Sequence, residues 1–555
     1  MALRVIIVGG VAGGASAAAK ARRVNESAEI TIFERGPYVS FANCGLPYYV
    51  GDTIVDRDEL LLQTPEKFWK RFRVKVKTRH EVLSIHRVEQ TVKVKDVESG
   101  EIGETSYDKL ILAPGAGALV PEIPGVHAKN IFTVKTVPDS DAIKHFLATH
   151  PAKHAVVIGG GFIGLETVEA LKHRGLAVTL VELAPQILSP LDRDMAALMA
   201  EHLREKEVGI NLNEGVTAFH VTDELAQEVE LTSGRRVPCD LAILSIGVRP
   251  ELKLARDAGL AIGKAGGIVV NECQQTSDPN IYAAGDAVEV IHRVTGQPAR
   301  ISFAGPANKQ GRVAGANAAG GHLTFPGAIG TAIVESLGMT AGKTGLSERE
   351  AQNHGYDIFI SVTHPLNHAD YYPGAEALHM KLIVERSTGR LLGAQVIGEL
   401  GVDKRIDVLA TAITARMSVE DLETLDLAYA PQFNSAKGPV VMAGFVAANT
   451  LRGEVQNVTG EELEKKLLAN ESLQLLDVRT PGEYEEKHIP QARLVPVDEL
   501  REHLDELDPM KETIVYCRVG LRGYLACRIL LQHGFQKVFN LTGGMLSFPN
   551  SNSRP

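Results

Sequence analysis

The chain has 555 residues, 44% of them hydrophobic and 23% charged, with a net charge of −10. That length exceeds what one core supports, so three or four domains are expected. The acidic balance argues against nucleic acid as the main partner, and no apolar run is long enough to span a membrane.

The first element is the apolar strand Val5-Ile6-Ile7-Val8, followed by Gly9-Gly10-Val11-Ala12-Gly13-Gly14, an Ala-rich helix, and Ile30-Thr31-Ile32-Phe33-Glu34. It is too short and too soon interrupted for a signal peptide. The design recurs at Ala155-Val156-Val157-Ile158, Gly159-Gly160-Gly161-Phe162-Ile163-Gly164, a helix, and Val178-Thr179-Leu180-Val181-Glu182. Each copy reads as strand, glycine turn, helix, and strand ending in an acid. Such turns let the backbone reach a pyrophosphate, while the helix N-terminus offers unpaired N–H groups. The terminal Glu accepts hydrogen bonds from ribose hydroxyls. Glu182 would repel a 2′-phosphate, so NADH is expected over NADPH, with NADPH still open. Val11 departs from the plain pattern, standing where the second glycine belongs.

Farther along, Leu231–Leu244 runs apolar into Ser245-Ile246-Gly247, and Ile281-Tyr282-Ala283-Ala284-Gly285-Asp286 follows. Residues 325–446 mix strand and helix patterns without a glycine phosphate loop. The polar stretch near Thr450–Gly460 reads as a linker. A fresh α/β unit then starts, with a helix over Glu461–Leu468 and strands over Leu473–Val478 and Thr513–Tyr516. The five cysteines (Cys44, Cys239, Cys273, Cys517, Cys527) form no CxxC pair and no metal-ligand spacing. A cytoplasmic, metal-free protein is therefore expected, in which any reactive cysteine acts alone.

The double nucleotide fold, Tyr107-Asp108-Lys109-Leu110-Ile111-Leu112-Ala113-Pro114-Gly115, and Tyr282-Ala283-Ala284-Gly285-Asp286 make residues 1–446 resemble the pyridine nucleotide-disulfide oxidoreductase superfamily. The resemblance implies FAD at the first site, on Gly9, Ala12, Gly14, Glu34, Arg35, Asn43, Gly285 and Asp286. It implies the nicotinamide cofactor at the second, on Gly159, Gly161, Gly164, Glu166, Glu182 and Gly247. The implied organisation is a FAD-binding domain in two parts (1–118 and 247–324), an NAD(H)-binding domain (119–246) and an α+β dimerisation domain (325–446). A linker (447–457) and an α/β domain (458–555) complete it.

Just after the first ribose acid comes Ser40-Phe41-Ala42-Asn43-Cys44-Gly45-Leu46-Pro47-Tyr48. A cysteine in a polar turn opening a helix is expected to have a lowered pKa. Glutathione-reductase-like enzymes carry a CxxxxC pair there, whereas this chain has one cysteine. Its partner sulfur must come from outside, or it must cycle through a sulfenate. The segment resembles coenzyme A disulfide reductases, their persulfide-reductase relatives, and NADH oxidases and peroxidases. Ser16, Lys20 and Arg23 form one polar helix face at i, i+4 and i+7. By that resemblance they, with Ser40 and Asn43, would hold coenzyme A. In the third lobe the family makes a homodimer whose tyrosines reach the other subunit's cysteine. Tyr429 matches, and Tyr371 and Tyr372 both remain candidates. Such a hydroxyl would bond a sulfur anion or protonate a leaving thiolate.

At the C-terminus, Leu475-Leu476-Asp477-Val478-Arg479, Glu483-Tyr484, His488-Ile489-Pro490-Gln491-Ala492, Cys517-Arg518-Val519-Gly520-Leu521-Arg522 and Asn540-Leu541-Thr542-Gly543-Gly544-Met545 resemble a rhodanese domain. A loop of inward N–H groups before a helix would stabilise the Cys517 thiolate and persulfide, with Arg518 and Arg522 adding charge. Cys527, Cys239 and Cys273 read as structural. Together these features imply NADH- and FAD-dependent reduction, through Cys44, of coenzyme A disulfide, coenzyme A persulfide or polysulfide. Cys517 would carry sulfane sulfur. The alternatives are an NADH oxidase or peroxidase with a Cys44 sulfenate, and a sulfurtransferase with a redox-sensing flavin part.

Overall fold

The computed structural model describes residues 2–548. The chain forms two compact units, Met1–Ile187 with Arg204–Ala328, and Leu188–Leu203 with Ile329–Pro555. No helix among the described residues is long and apolar enough to cross a membrane.

The first unit holds two five-stranded parallel sheets. One runs Ile281–Ala283, Lys109–Leu112, Arg4–Val8, Glu29–Glu34, Val74–Thr78. The other runs Gly209–Asn211, Ala177–Val181, His154–Ile158, Leu241–Leu244, Ile131–Thr133. Parallel strands need cover on both faces, which is why Val5, Ile6 and Ile7 are all buried although they point to alternate sides. The first sheet is completed only when the chain returns at Ile281, after the whole second sheet has been made. Its cover includes the helices Ala12–Val24 and Ala304–Ala318. These approach so closely that a Cβ on Gly311 would stand 2.1 Å from the Gly13 carbonyl oxygen, so a larger residue there would force them apart.

The second unit combines an antiparallel and a parallel sheet. The antiparallel one has the order Ala332–Ser336, Met339–Gly345, Leu391–Gly398, Leu378–Glu385, Ile358–Thr363. Lys381 is buried on it and compensated by Asp192, Asp194 and Glu348 at 3.3, 2.9 and 2.9 Å, which ties the segment Leu188–Leu203 to the sheet. The parallel sheet runs Gln456–Val458, Val538–Leu541, Thr513–Tyr516, Gln474–Asp477, Arg493–Leu494. The molecule is thus α/β, with two Rossmann-like domains, an α+β dimerisation domain and a C-terminal α/β domain. Over 447–457, where a linker is expected, the helix Pro439–Leu451 fills the first half and the edge strand Gln456–Val458 the end. Apolar Val440, Ala443 and Ala447 pack on one face of that helix and carry it through the polar stretch.

Candidate active site

The two nucleotide cradles share one local construction. Gly9 has φ +89°, and a Cβ on Gly14 would lie 1.9 Å from the Gly9 carbonyl oxygen. In the second cradle Gly159 has φ +105°, and a Cβ on Gly164 would again lie 1.9 Å from the preceding turn's carbonyl oxygen. Neither helix has a side-chain cap at Val11 or Gly161, an arrangement suited to a phosphate at the first turn. Glu34 accepts the N–H groups of Gly10 at 2.8 Å and Gly36 at 2.7 Å. Glu182 accepts those of Gly160 at 2.6 Å and Ala184 at 2.8 Å. Each carboxylate is therefore aimed by the backbone of its own turn and keeps lone pairs for a ribose. These cradles fit dinucleotides.

The other expected cofactor residues divide. Asp286 follows the strand Ile281–Ala283, and burial raises its carboxyl against the opposing pull of Lys135. Gly285 donates its N–H to Gln310 at 2.7 Å. Asn43 turns its side-chain oxygen to the Cys44 N–H at 3.1 Å. Arg35 is exposed and pairs with Glu251 at 3.2 Å. Ala12 opens the first helix, and Gly247 has φ +114°.

Cys44 lies in a single 3-10 turn, Asn43–Gly45, ahead of the five-residue helix Leu46–Val50. Its side chain is exposed, yet its thiol is raised rather than lowered. Burial of its surroundings is the main cause, with the Glu166 and Asp286 carboxylates adding to it against Lys135. The expected lowering is corrected on physical grounds. So short a helix has little dipole, the cysteine's own N–H is occupied by Asn43, and two acids lie nearby. Burial also pushes Glu166 up to about 7, while its hydrogen bond from the Tyr48 hydroxyl at 3.4 Å opposes that shift. Tyr48 stands one helical turn after Cys44. Tyr48 is thus an addition to the site, and Glu166, expected only near the nicotinamide, also acts on Cys44.

On the helix Ala12–Val24, Ser16 donates to Asn308 at 2.6 Å, Arg23 is exposed and bonds the Ala19 carbonyl, and Lys20 is half-buried. Ser40 has φ +48°, a left-handed conformation that is strained for a non-glycine residue.

In the second unit, the hydroxyls of Tyr371 and Tyr429 stand 2.8 Å apart although the residues are 75% and 50% exposed. Tyr372 instead packs edge-on against His368. Exposed Leu400 and Phe433 lie beside a cavity of about 550 Å³ that Tyr429 also lines.

The strand Thr513–Tyr516 delivers Cys517 into a tight loop, where the Gly520 N–H donates to its sulfur at 3.1 Å. Gly520 has φ +108°, which turns that N–H inward. Arg522 is held by Glu483 through two 2.7 Å hydrogen bonds and interacts more weakly with Cys517. Arg518 is exposed. The Cys517 and Arg518 carbonyls accept N–H groups from Met545 at 2.8 Å and Leu546 at 3.2 Å. Cys527 and Cys239 are buried; burial raises the first far and the second to about 12, and Cys273 is half-buried. The turn beyond Thr542 also meets the antiparallel sheet. Thr542 accepts the Val362 N–H at 2.9 Å, and Ser547 meets His364 at 3.0 Å.

Residues 3–311 match the family described as pyridine nucleotide-disulphide oxidoreductase. The chain belongs to the pyridine nucleotide-disulphide oxidoreductases. Residues 333–439 match that family's dimerisation domain, and residues 459–550 match the rhodanese-like domain. Membership implies FAD and NAD(P)H as the dinucleotides of the two cradles. A coenzyme A disulfide reductase from Staphylococcus haemolyticus (strain JCSC1435) is 37% identical over 445 residues, 80% of this chain and 99% of that protein. The reduced Bacillus anthracis CoADR-RHD structure is 44% identical with a TM-score of 0.95, covering 98% of this chain and 97% of its own. A NAD-dependent persulfide reductase from A. fulgidus is 40% identical with a TM-score of 0.91, covering 98% and 99%. This member of the family is an oxidoreductase with a rhodanese-like domain in the same chain.

Proposed function

We propose that this oxidoreductase reduces coenzyme A disulfide, coenzyme A persulfide or polysulfide through Cys44, and that Cys517 carries sulfane sulfur. The observation that supports this most is the pairing, in one chain, of an exposed cysteine subject to the charge of two carboxylates and a second cysteine whose sulfur accepts the Gly520 N–H and interacts with Arg522.

The Cys44 thiolate attacks one sulfur of the substrate's S–S bond. A Cys44–S–S bond forms, and the broken bond's electron pair leaves on the first product thiolate. FAD and NAD(P)H, when bound, supply the two electrons that return Cys44 to a thiolate and release the second sulfur as thiol or sulfide. Glu166, pushed up to about 7 by burial, can take up or release a proton at this site near neutral pH, and Tyr48 connects it to the helix that follows Cys44. The Tyr371 and Tyr429 hydroxyls would meet the corresponding sulfur of the other subunit in a homodimer. Their mutual hydrogen bond favours Tyr371 over Tyr372 for that role.

Ser16, Lys20, Arg23, Ser40 and Asn43 would hold coenzyme A, the first three as an accessible, partly cationic helix face. Glu182 would favour NADH, and all five cysteines are free thiols, which suits a reducing cytoplasm. The test is NADH oxidation with excess NADH against a panel of disulfides, persulfides, polysulfide, peroxide and oxygen, with sulfide measured. Thiol or sulfide release supports the reading. Turnover with only oxygen or peroxide overturns it in favour of a Cys44 sulfenate enzyme.

A further inference from the structure

Behind the Cys517 loop, a chain of contacts begins at a helix cap. Thr480 caps the helix Pro481–Glu486 and accepts the Glu483 N–H at 3.3 Å. Glu483 Oε2 accepts the Thr480 N–H at 3.1 Å and its hydroxyl at 3.0 Å. The same carboxylate takes both terminal nitrogens of Arg522 at 2.7 Å each, and the Cys517 side chain adds a smaller favourable interaction with that guanidinium. Both ion-pair partners are about two-thirds shielded, at 32% and 27% exposure.

We propose that Glu483 is a positioning residue for sulfur transfer at Cys517: it locks the Arg522 guanidinium against the sulfur. The proposal rests on reading Cys517 as the sulfur carrier. An arginine on the first turn of a helix has many rotamers, and a two-pronged carboxylate selects one of them. The carboxylate is itself fixed, because the Thr480 cap occupies one of its oxygens. Arg518, which is exposed, has no such ion pair among the described residues.

The fixed guanidinium faces an anion at both stages of transfer. The Cys517 thiolate attacks the sulfane sulfur of a persulfide donor. A Cys517–S–S bond forms, the donor's S–S bond breaks, and its electron pair leaves on the donor thiolate. An acceptor thiolate then reverses the exchange. No proton, oxidant or reductant enters the balance.

Two electrostatic roles for Glu483 predict opposite signs. If it merely neutralised Arg522, removing it would leave a bare cation beside the sulfur, and Cys517 would ionise at lower pH. If it positions Arg522, removal frees the guanidinium, and Cys517 ionises at higher pH. The experiment follows iodoacetamide alkylation of the Cys517 peptide in the full-length protein by mass spectrometry, as a function of pH. Glu483→Ala is expected to raise the midpoint by about one unit, the usual effect of losing a fixed opposite charge. Arg522→Lys, which leaves the Glu483 cap intact, should raise it too, and Glu483→Ala should add nothing in an Arg522→Ala background.

A midpoint that stays or falls in Glu483→Ala, with cooperative melting retained, overturns the proposal. If that variant does not fold, Arg522→Lys decides alone, and an unmoved midpoint overturns it. Thiosulfate or persulfide transfer that survives Cys517→Ser overturns the parent reading instead. Loss in Cys517→Ser with an unmoved midpoint in Glu483→Ala overturns only the positioning role.

Discussion

The His364 ring meets the Ser547 hydroxyl at 3.0 Å through one nitrogen and the His379 ring at 2.7 Å through the other. The antiparallel sheet and the turn that braces the Cys517 loop therefore share a partly buried, neutral imidazole. Burial, followed by His379, lowers His364 to about 3, while the Gly543 backbone opposes the shift. His379 is lowered as well, by burial.

Acid should loosen this contact, and the sign follows from linkage. A histidine whose folded pKa lies below its unfolded value stabilises the fold fully above about pH 6.5. It loses that contribution as pH falls toward its folded pKa, at about 1.4 kcal/mol per unit for each proton bound. The melting temperature of the second unit should thus fall between pH 6.5 and pH 4. In His364→Gln the decline should be shallower, on a protein that is about 1–3 kcal/mol less stable at pH 7. Equal slopes in wild type and variant would show that another group governs acid sensitivity.

Replacing Cys44 by Ser should leave NADH binding intact and lower disulfide and persulfide turnover by about 10³-fold or more, since no second thiol stands in the motif. The absorbance of bound flavin should still bleach when NADH is added. Turnover close to that of the wild type would refute Cys44 as the reacting sulfur.

Glu166→Gln removes a carboxylate that raises the Cys44 thiol. The thiolate should then form at lower pH, so the rising limb of kcat/KM for a disulfide should shift toward acid by up to about one unit. A shift toward base would mean that Glu166 acts on Cys44 other than by charge.

NADH should be preferred to NADPH by roughly tenfold or more in kcat/KM, equivalent to about 1.4 kcal/mol. Glu182→Ser should narrow that gap, chiefly through KM for NADPH. A wild-type preference for NADPH would show that another residue overrides Glu182.

Cys517→Ser should leave reduction of small disulfides by Cys44 nearly unchanged while abolishing thiosulfate or persulfide transfer. It should also slow sulfide release from bulky sulfur donors. Mixing Cys44→Ser with Cys517→Ser protein measures whether the two cysteines cooperate. Normal turnover of every substrate without Cys517 would mean that the two activities are independent.

What the sequence disclosed was local. The glycine turns, their terminal glutamates and the cysteine loops are each set by residues a few positions apart, so spacing alone exposes them. Other features depend on contacts between distant residues. The lift on the Cys44 thiol comes from Glu166 and Asp286, more than 100 residues away in sequence. Arg35 is drawn to Glu251, and His364 has value only once the turn near Ser547 has folded against it. The helix that runs into 447–457 was hidden for a related reason: the polarity there is a surface property, while the helix Pro439–Leu451 is held by its buried face.

The hydrogen bonds at Glu182 also bear on redesign. Its carboxylate satisfies two main-chain donors, Gly160 and Ala184, as well as facing the expected ribose. A change of cofactor preference made at this position alone would leave those donors without an acceptor and slacken the glycine turn. Accepting a phosphorylated ribose would therefore require two alterations together: a cation for the added phosphate, and a small acceptor that keeps the turn closed.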